Sequence, residues 1–276
     1  MPELPEVEHA ARCLRRWLHG AVVARAEADA SRVFRGGGRR AFVRSLPGRR
    51  LQRLERRGKV LLLFFDADVG LLSHLGMSGR WVETEAGAAP PHSHARLTLE
   101  GGRVLHYCDP RMFGRVEVHA GSALLGLPEV RALGPDPLHD GIDAAALHAA
   151  LKKTGRAVKV ALMDQGVLAG VGNIYATEAL FRARIHPARA ASSLTRREVG
   201  RIAEGIEAAM GAVLAGMKDE LAYLSDGAHV ENPFLVYDRA GAPCPRCRRA
   251  LEKLTLGGRT SAFCPRCQRA GRPREA

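Results

Sequence analysis

Near the start of the chain, Val7, Ala11, Leu14 and Leu18 recur at helical spacing. They predict a helix over residues 3–19 with one core-facing stripe. Pro5 is tolerated in a first turn, Glu6 and Glu8 suit the positive end of the helix dipole, and Gly20 closes the segment. From residue 21 to 119 the pattern changes to short apolar runs broken by Gly, Pro and Asp. Residues 22–24, 51–54, 60–65, 71–75, 97–99, 104–107 and 116–118 are strand candidates. So many short strands separated by turn signals predict a β-sandwich or barrel. Gly134-Pro-Asp-Pro137 marks a linker, and residues 144–152, 158–164, 173–182 and 195–217 carry helical patterning beyond it. Residues 36–38 and 86–91 read as loops, and 254–263 as strand, Gly257-Gly258 turn, strand. The fold class is therefore α+β in three parts: a helix-led β-sandwich domain at 1–133, a helical domain at 134–236 and a β-hairpin at 237–276.

Cysteine spacing adds a metal to that hairpin. Cys244-Pro-Arg-Cys247 and Cys264-Pro-Arg-Cys267 are separated by sixteen residues. This is the spacing at which four thiolates converge on one tetrahedral zinc. The alternative is a pair of disulfides. No secretory leader precedes the chain, since Met1-Pro-Glu-Leu-Pro-Glu is acidic and unlike a signal n-region. A reducing, cytoplasmic compartment is the expectation. Arg246, Arg248, Arg249, Arg259, Arg266 and Arg269 surround the knuckles, and basic zinc ribbons contact nucleic acid.

Charge extends the reading to the whole chain of 276 residues. A net charge of +13 and a pI near 10.2 favour a polyanionic partner. A membrane is the weaker choice, because the longest apolar run, residues 60–65, is only strand-length. The N-terminus then suggests chemistry. Removal of Met1 ahead of Pro2 leaves a secondary amine, and an α-amino group with a pKa of about 7.7–8.0 is partly neutral at working pH and nucleophilic. Attack on a sugar C1′ would give an iminium ion that acidifies the neighbouring carbon, with Glu3 and Glu6 placed to move protons. Taken alone, the two prolines equally serve to set the chain's entry into the helix.

Several motifs, in order, share one resemblance. They are residues 1–8 (Met-Pro-Glu-Leu-Pro-Glu-Val-Glu), Ser73-His-Leu-Gly-Met-Ser-Gly79, Asp109-Pro-Arg-Met-Phe-Gly114, the run from Asp164-Gln-Gly to Tyr-Ala-Thr-Glu178, and Gly257-Gly-Arg-Thr-Ser-Ala-Phe-Cys264. Together they span nearly the whole chain and resemble the bacterial formamidopyrimidine-DNA glycosylases. The resemblance implies a DNA repair enzyme, both glycosidase and lyase, that removes oxidised purines from damaged double-stranded DNA and nicks the strand by β,δ-elimination. It implies Pro2 as the Schiff-base nucleophile and Glu3 as the acid. Lys59 would serve elimination and phosphate contact, and Arg259 would grip the phosphate at the lesion and assist the second elimination. Without the family, Lys59 reads as a basic strand end.

Such chemistry needs the nucleotide out of the stack. Met77, Arg111 and Phe113 match the residues that fill the resulting hole, two apolar wedges and one hydrogen-bonding arm. By residue type alone Met77 and Phe113 read as core, although Gly76, Gly79 and Gly114 favour loop tips. The glycine-rich turn at 166–173 resembles the family's helix–two-turns–helix element, with Asn173 as a phosphate ligand. His92, Lys153, Arg156 and Lys159 are further candidate backbone contacts, or else solvated surface charges. One lesion and one active site make a monomer the default, associated with the nucleoid.

Two places depart from the family pattern. Met112 stands where a second arginine is usual, losing a phosphate contact while keeping the wedge. Residues 216–236 lack the family's usual loop sequence and leave Tyr223, His229, Glu231 and Asn232 as open choices for contacting the base. Two other readings remain. An endonuclease VIII-type relative acting on oxidised pyrimidines shares Pro2, Glu3 and the ribbon, but differs at Leu4-Pro5-Glu6 and at the wedge motif. A non-catalytic DNA binder has no need of an N-terminal amine beside an acid.

Overall fold

The computed structural model describes residues 2–35, 38–87, 89–217 and 233–270. Tyr223, His229, Glu231 and Asn232 lie outside the described residues. The chain forms two compact units divided between Ala132 and Leu133.

The first unit opens with α1 (Leu4–Leu18), and Val7, Ala11, Leu14 and Leu18 are all buried on its inner face. Its start is fixed by a reciprocal capping box: the Glu3 carboxylate accepts from the Glu6 backbone, and the Glu6 carboxylate accepts from Glu3 N at 2.9 Å. Two four-stranded antiparallel sheets follow. One has the order β1 (Val23–Ala28), β6 (Ser93–Leu99), β7 (Val104–Cys108), β5 (Arg80–Thr84). The other has the order β2 (Leu51–Arg57), β3 (Val60–Phe65), β4 (Val69–His74), β8 (Arg115–Ala120). Leu61, Leu63 and Phe65 share one core with Val23, Trp81, Leu97 and Leu105 of the opposite sheet and with Leu14 and Leu18 of α1. This is the expected sandwich.

The alternate residues of β3, Val60, Leu62 and Phe64, face a second cluster with Leu124 and Val130. Burial on both faces explains the unbroken apolar run at 60–65. α2 (Gly38–Ser45) and β5 are among the elements that escaped the sequence pattern. In α2, expected to begin as loop, only Phe42 is buried, so no apolar stripe announces it. In β5 only Trp81 is fully enclosed.

The second unit holds α4 (Ala144–Lys152), α5 (Val158–Leu162), α6 (Asn173–Ala183) and α7 (Arg196–Gly216), after the short α3 (Pro128–Arg131) that ends the first. Asp143 caps α4, accepting from Ala145 N at 2.8 Å and Ala146 N at 3.2 Å. Gly205 of α7 lets that helix cross α6 closely, because a Cβ there would sit 2.9 Å from the Ala179 carbonyl. The hairpin of β9 (Glu252–Leu256) and β10 (Arg259–Phe263) pairs Leu254 with Ser261. The described part of the hairpin segment, 237–270, packs against α6 of this unit. Arg246 explains why: its guanidinium donates to Phe181 O at 2.7 Å and Arg182 O at 3.2 Å and lies 4.5 Å from the Phe181 ring. Gln268 adds a bond to Ile185 O at 2.9 Å. Among the described residues, no helix is long and apolar enough to cross a membrane.

Candidate active site

In the first unit, Pro2 and Glu3 are buried, Glu3 completely. The capping box clamps the backbone on either side of the Glu3 carboxylate, so Glu6 orients Glu3 as well as offering a second acid. Lys59 sits at the tip of the β2–β3 hairpin, beside Gly58 in the left-handed region (φ 53°). Arg56, almost fully buried, donates to Gly58 O at 3.1 Å and to Glu8 at 2.7 Å, tying that tip to α1. Burial pushes the Glu8 carboxyl up, but the Arg56 bond and charge, with Arg12 and Arg15, outweigh it and hold its pKa below the usual carboxylate value.

Two loops meet at the ends of β4 and β7. Asp109 is fully buried; its Oδ1 accepts from Ser78 Oγ at 2.6 Å and Arg111 N at 3.3 Å, and its Oδ2 accepts from Gly114 N at 2.7 Å. One carboxylate thus joins the Met77 loop to the Arg111–Phe113 loop. The close approach needs glycine. A Cβ on Gly114 would lie 1.7 Å from the Tyr107 hydroxyl, and one on Gly76 (φ +60°) would lie 2.5 Å from Gly114 N. Tyr107, kept protonated by burial, donates to His74 O at 3.0 Å. Out of this scaffold stands Phe113, 54% exposed, with the Arg111 guanidinium 4.8 Å from its ring centre. Met77 is half-buried. Met112, at φ 51°, packs against the core of the unit, so the departure there falls on an inward-facing side chain.

His74, known from the sequence only as part of a motif, lies beside these loops. Burial, followed by the charges of Arg115, Lys59 and Arg35, lowers its pKa to about 4. Its Nδ1 accepts from Gly76 N at 3.0 Å, so the neutral ring carries its proton on Nε2 and is a donor. His92 is exposed at φ 59°, and its carbonyl accepts from Asp109 N at 3.0 Å.

In the second unit, Gln165 staples the glycine-rich turn. Its Nε2 donates to Met163 O at 2.8 Å and Val171 O at 2.9 Å, and its Oε1 accepts from Gly170 N at 2.8 Å. Asn173 opens α6 directly after this turn. Lys159 departs from the expectation of a surface phosphate contact, because it is fully buried. Its Nζ donates to Asn173 Oδ1, to Ser261 Oγ and, at 3.1 Å, to Thr260 O. With Oδ1 engaged, the Asn173 amide N–H₂ is the group left to bind a ligand. The same ammonium holds the strand next to Arg259, which is exposed at the start of β10 after Gly257 and Gly258 (φ 53° and 70°). Lys153 and Arg156 are exposed, but Arg156 is engaged by Asp164 at 2.8 Å. Glu178, a buried residue given no role by the sequence pattern, accepts from the backbone N–H groups of Leu235, Val236 and Tyr237 at 2.8–3.0 Å. It thereby fixes the chain at 235–237.

The sulfurs of Cys244, Cys247, Cys264 and Cys267 lie within 4.8 Å of one another. The 3.4 Å and 4.0 Å separations of Cys247–Cys264 and Cys244–Cys267 are too long for disulfides. They bracket the ~3.8 Å edge of a tetrahedron with Zn–S bonds of about 2.3 Å. These four residues hold one structural zinc, which braces the hairpin carrying Arg259.

Comparison with known proteins agrees with this geometry. The chain matches the formamidopyrimidine-DNA glycosylase N-terminal domain over residues 1–116, the H2TH domain of the same enzymes over 133–221, and the zinc finger found in FPG and IleRS over 241–270. It is 42% identical over 260 residues to the formamidopyrimidine-DNA glycosylase of Moorella thermoacetica, covering 92% of this chain and 94% of that protein. It is 39% identical over 267 residues to the enzyme of Chloroflexus aggregans, covering 95% and 96%. Among solved structures, the MutM (Fpg) protein of Thermus thermophilus superposes with a TM-score of 0.82 at 36% identity, covering 98% of this chain and 100% of that one. The Lactococcus lactis Fpg in complex with DNA containing N7-benzyl-Fapy-dG superposes with a TM-score of 0.87 at 29% identity, with the same coverage. With relatives this similar along nearly its whole length, the chain belongs to the formamidopyrimidine-DNA glycosylase family of enzymes.

Proposed function

We propose that this enzyme flips oxidised purines out of duplex DNA, excises them through a Schiff base on Pro2 and then cuts the strand. The observation that carries the reading is the pair of loops joined by Asp109. It presents an exposed aromatic wedge, an arginine arm and Met77 from a scaffold too tightly packed to relax, which a helix-stacking device requires.

The Pro2 amine attacks C1′ as the glycosidic bond breaks, and the base leaves with a proton. Glu3, buried and held by the capping box, supplies the proton to the sugar ring oxygen or the base. The resulting iminium acidifies C2′; loss of that proton expels the 3′ phosphate, and a second elimination expels the 5′ phosphate. Lys59 contacts phosphate and assists elimination. Arg259 grips the phosphate at the lesion, since a guanidinium forks onto two phosphate oxygens. Asn173 and the N-terminus of α6 hold a further phosphate, and His74 donates its Nε2 proton to another as a neutral ligand. His92 and Lys153 add outer backbone contacts, and Arg156 does so only by yielding its Asp164 partner. The enzyme acts as a monomer in the cytoplasm, at the nucleoid, where its substrate is.

Oxidised pyrimidines are a second substrate class to test, because the Lactococcus lactis Fpg has also been solved with DNA containing an oxidised pyrimidine. The test is borohydride trapping on duplexes carrying 8-oxoguanine, formamidopyrimidine, thymine glycol or an abasic site. Covalent trapping on the oxidised purines, lost in Pro2→Gly, is expected. Trapping on thymine glycol in preference to both purines would transfer the assignment to pyrimidines, and absence of trapping on every duplex would leave only a DNA binder.

A further inference from the structure

Residues 32–54 contain eight arginines and no Asp or Glu. Several are consumed locally: Arg39 donates to Ala28 O at 3.0 Å, Arg50 to Gly20 O at 2.5 Å, and Arg53 lies over the Phe64 ring and faces Glu55. Arg35, Arg40 and Arg44 are different. All three are exposed, and among the described residues no carboxylate pairs with them. The helix that carries two of them is anchored by its other face. Phe42 is fully buried and packs edge-on against Phe34, with ring centres 5.4 Å apart. Arg40 and Arg44, four positions apart, therefore share the outward side of α2 with Arg39 and Val43, around an open depression of about 510 Å³.

This face is continuous with the cationic cluster beside the wedge loops. Val116 N donates to Val33 O at 2.8 Å and Gly38 N to Arg35 O at 3.0 Å, so the start of α2 is held beside β8, next to Arg115 and its cross-strand partner His74. From there the eight residues of α2 run on for about 12 Å at 1.5 Å per residue. Along one DNA strand that length spans roughly three to four phosphates at 3.4 Å each. An anionic membrane would want apolar residues to insert as well as charge, and Val43 alone is a poor anchor. A phosphate backbone needs only the arginines.

We infer that the outward face of α2, through Arg40 and Arg44, is an accessory rail for the phosphates of flanking duplex, beyond the nucleotides gripped at the lesion. This rests on the DNA-repair reading above. Its contribution is electrostatic and sequence-independent, which serves scanning along undamaged DNA as well as holding a damaged site.

The experiment is the salt dependence of binding for the wild type and an Arg40→Gln/Arg44→Gln double variant, on duplexes with a central tetrahydrofuran abasic analogue. On a duplex of about 25 base pairs, the slope of log Kobs against log salt should be shallower in the variant by about 1.8, at 0.9 for each phosphate no longer neutralised. An Arg40→Lys/Arg44→Lys variant should restore the slope, which separates a loss of charge from a loss of folding. Equal slopes for wild type and Gln variant would overturn the rail. Its failure is distinct from failure of the repair reading, because wild-type borohydride trapping reports on the latter and does not depend on these arginines.

Discussion

Asp109→Asn is the sharpest probe of how the wedge is held. The substitution keeps size and shape and replaces one acceptor oxygen by an N–H₂ donor. The wild-type carboxylate serves Ser78 Oγ and Arg111 N through one oxygen and Gly114 N through the other, at 2.7 Å, in a fully buried position. An asparagine satisfies one side only. If its oxygen stays with Ser78, the Gly114 N–H faces another donor; if it rotates to Gly114, the Ser78 and Arg111 side is stranded. A hydrogen bond to a charged acceptor is worth about 1.5–3 kcal/mol, and a buried donor left unmatched costs a comparable amount. The neighbouring glycines leave the loops little room to rearrange, because side-chain and backbone atoms already fill the space where their Cβ atoms would be.

A loss of about 2–3 kcal/mol follows, and the first unit should melt on the order of 5–10 °C lower. The functional consequence is selective. In the proposed function the wedge compensates for opening a base pair, and an abasic site has no pair to open. Single-turnover excision of 8-oxoguanine opposite cytosine should fall by roughly 10–100-fold, while nicking of a preformed abasic site should change by less than about 3-fold. Unchanged melting together with unchanged excision would refute the role of Asp109. Equal loss on both substrates would mean that the carboxylate supports the catalytic residues and not the wedge.

Removing zinc, or changing Cys264→Ser, should release the hairpin that carries Arg259 and abolish tight binding to lesion DNA, leaving the β-sandwich unit folded by circular dichroism. Elemental analysis should return one zinc per chain, and cleavage surviving chelation would contradict the assignment. Lys59→Gln should lower the salt slope of DNA binding by about 0.9. His74→Ala should instead weaken binding at pH 7.5 with no change of slope, because a ring with a pKa near 4 brings no charge to the phosphate. In the second unit, burial pushes the Glu198 carboxyl up. The Arg189 pair and the Thr195 backbone and hydroxyl donors more than reverse this, bringing its pKa to about 2. Between that value and the ordinary glutamate value of 4.5 the unfolded chain binds more protons, so this contribution is complete above about pH 4.5 and is lost as pH falls toward 2. Acid denaturation followed by circular dichroism should show less pH dependence in that interval for Glu198→Gln; identical profiles would refute the linkage.

Much of this protein was legible along the chain, because its signals are local. The stripe of Val7, Ala11, Leu14 and Leu18 follows from helical periodicity, the strand at 60–65 from an unbroken apolar run, and the four zinc ligands from paired Cys-x-x-Cys spacing. A turn or a metal knuckle is specified by a few consecutive residues, so the sequence alone determines it. α2 stayed hidden because its stability comes from one side chain, Phe42, meeting Phe34, and its other positions are mostly arginines that any solvated loop could carry.

The remaining assignments depended on contacts between residues distant in sequence. Lys159 reads along the chain as a lone surface charge in a short apolar helix, and only the convergence of α6 and β10 upon it makes it an internal clamp. Asp109 begins a recognisable motif, but its bond to Ser78, thirty-one positions away, is what joins the two loops. His74 is an ordinary histidine until burial and three cationic neighbours make it a neutral donor. Periodicity and spacing record which residues prefer which local conformation. Burial, charge state and hydrogen-bond partnership are set by what the completed fold brings alongside, and so the tertiary structure decided them.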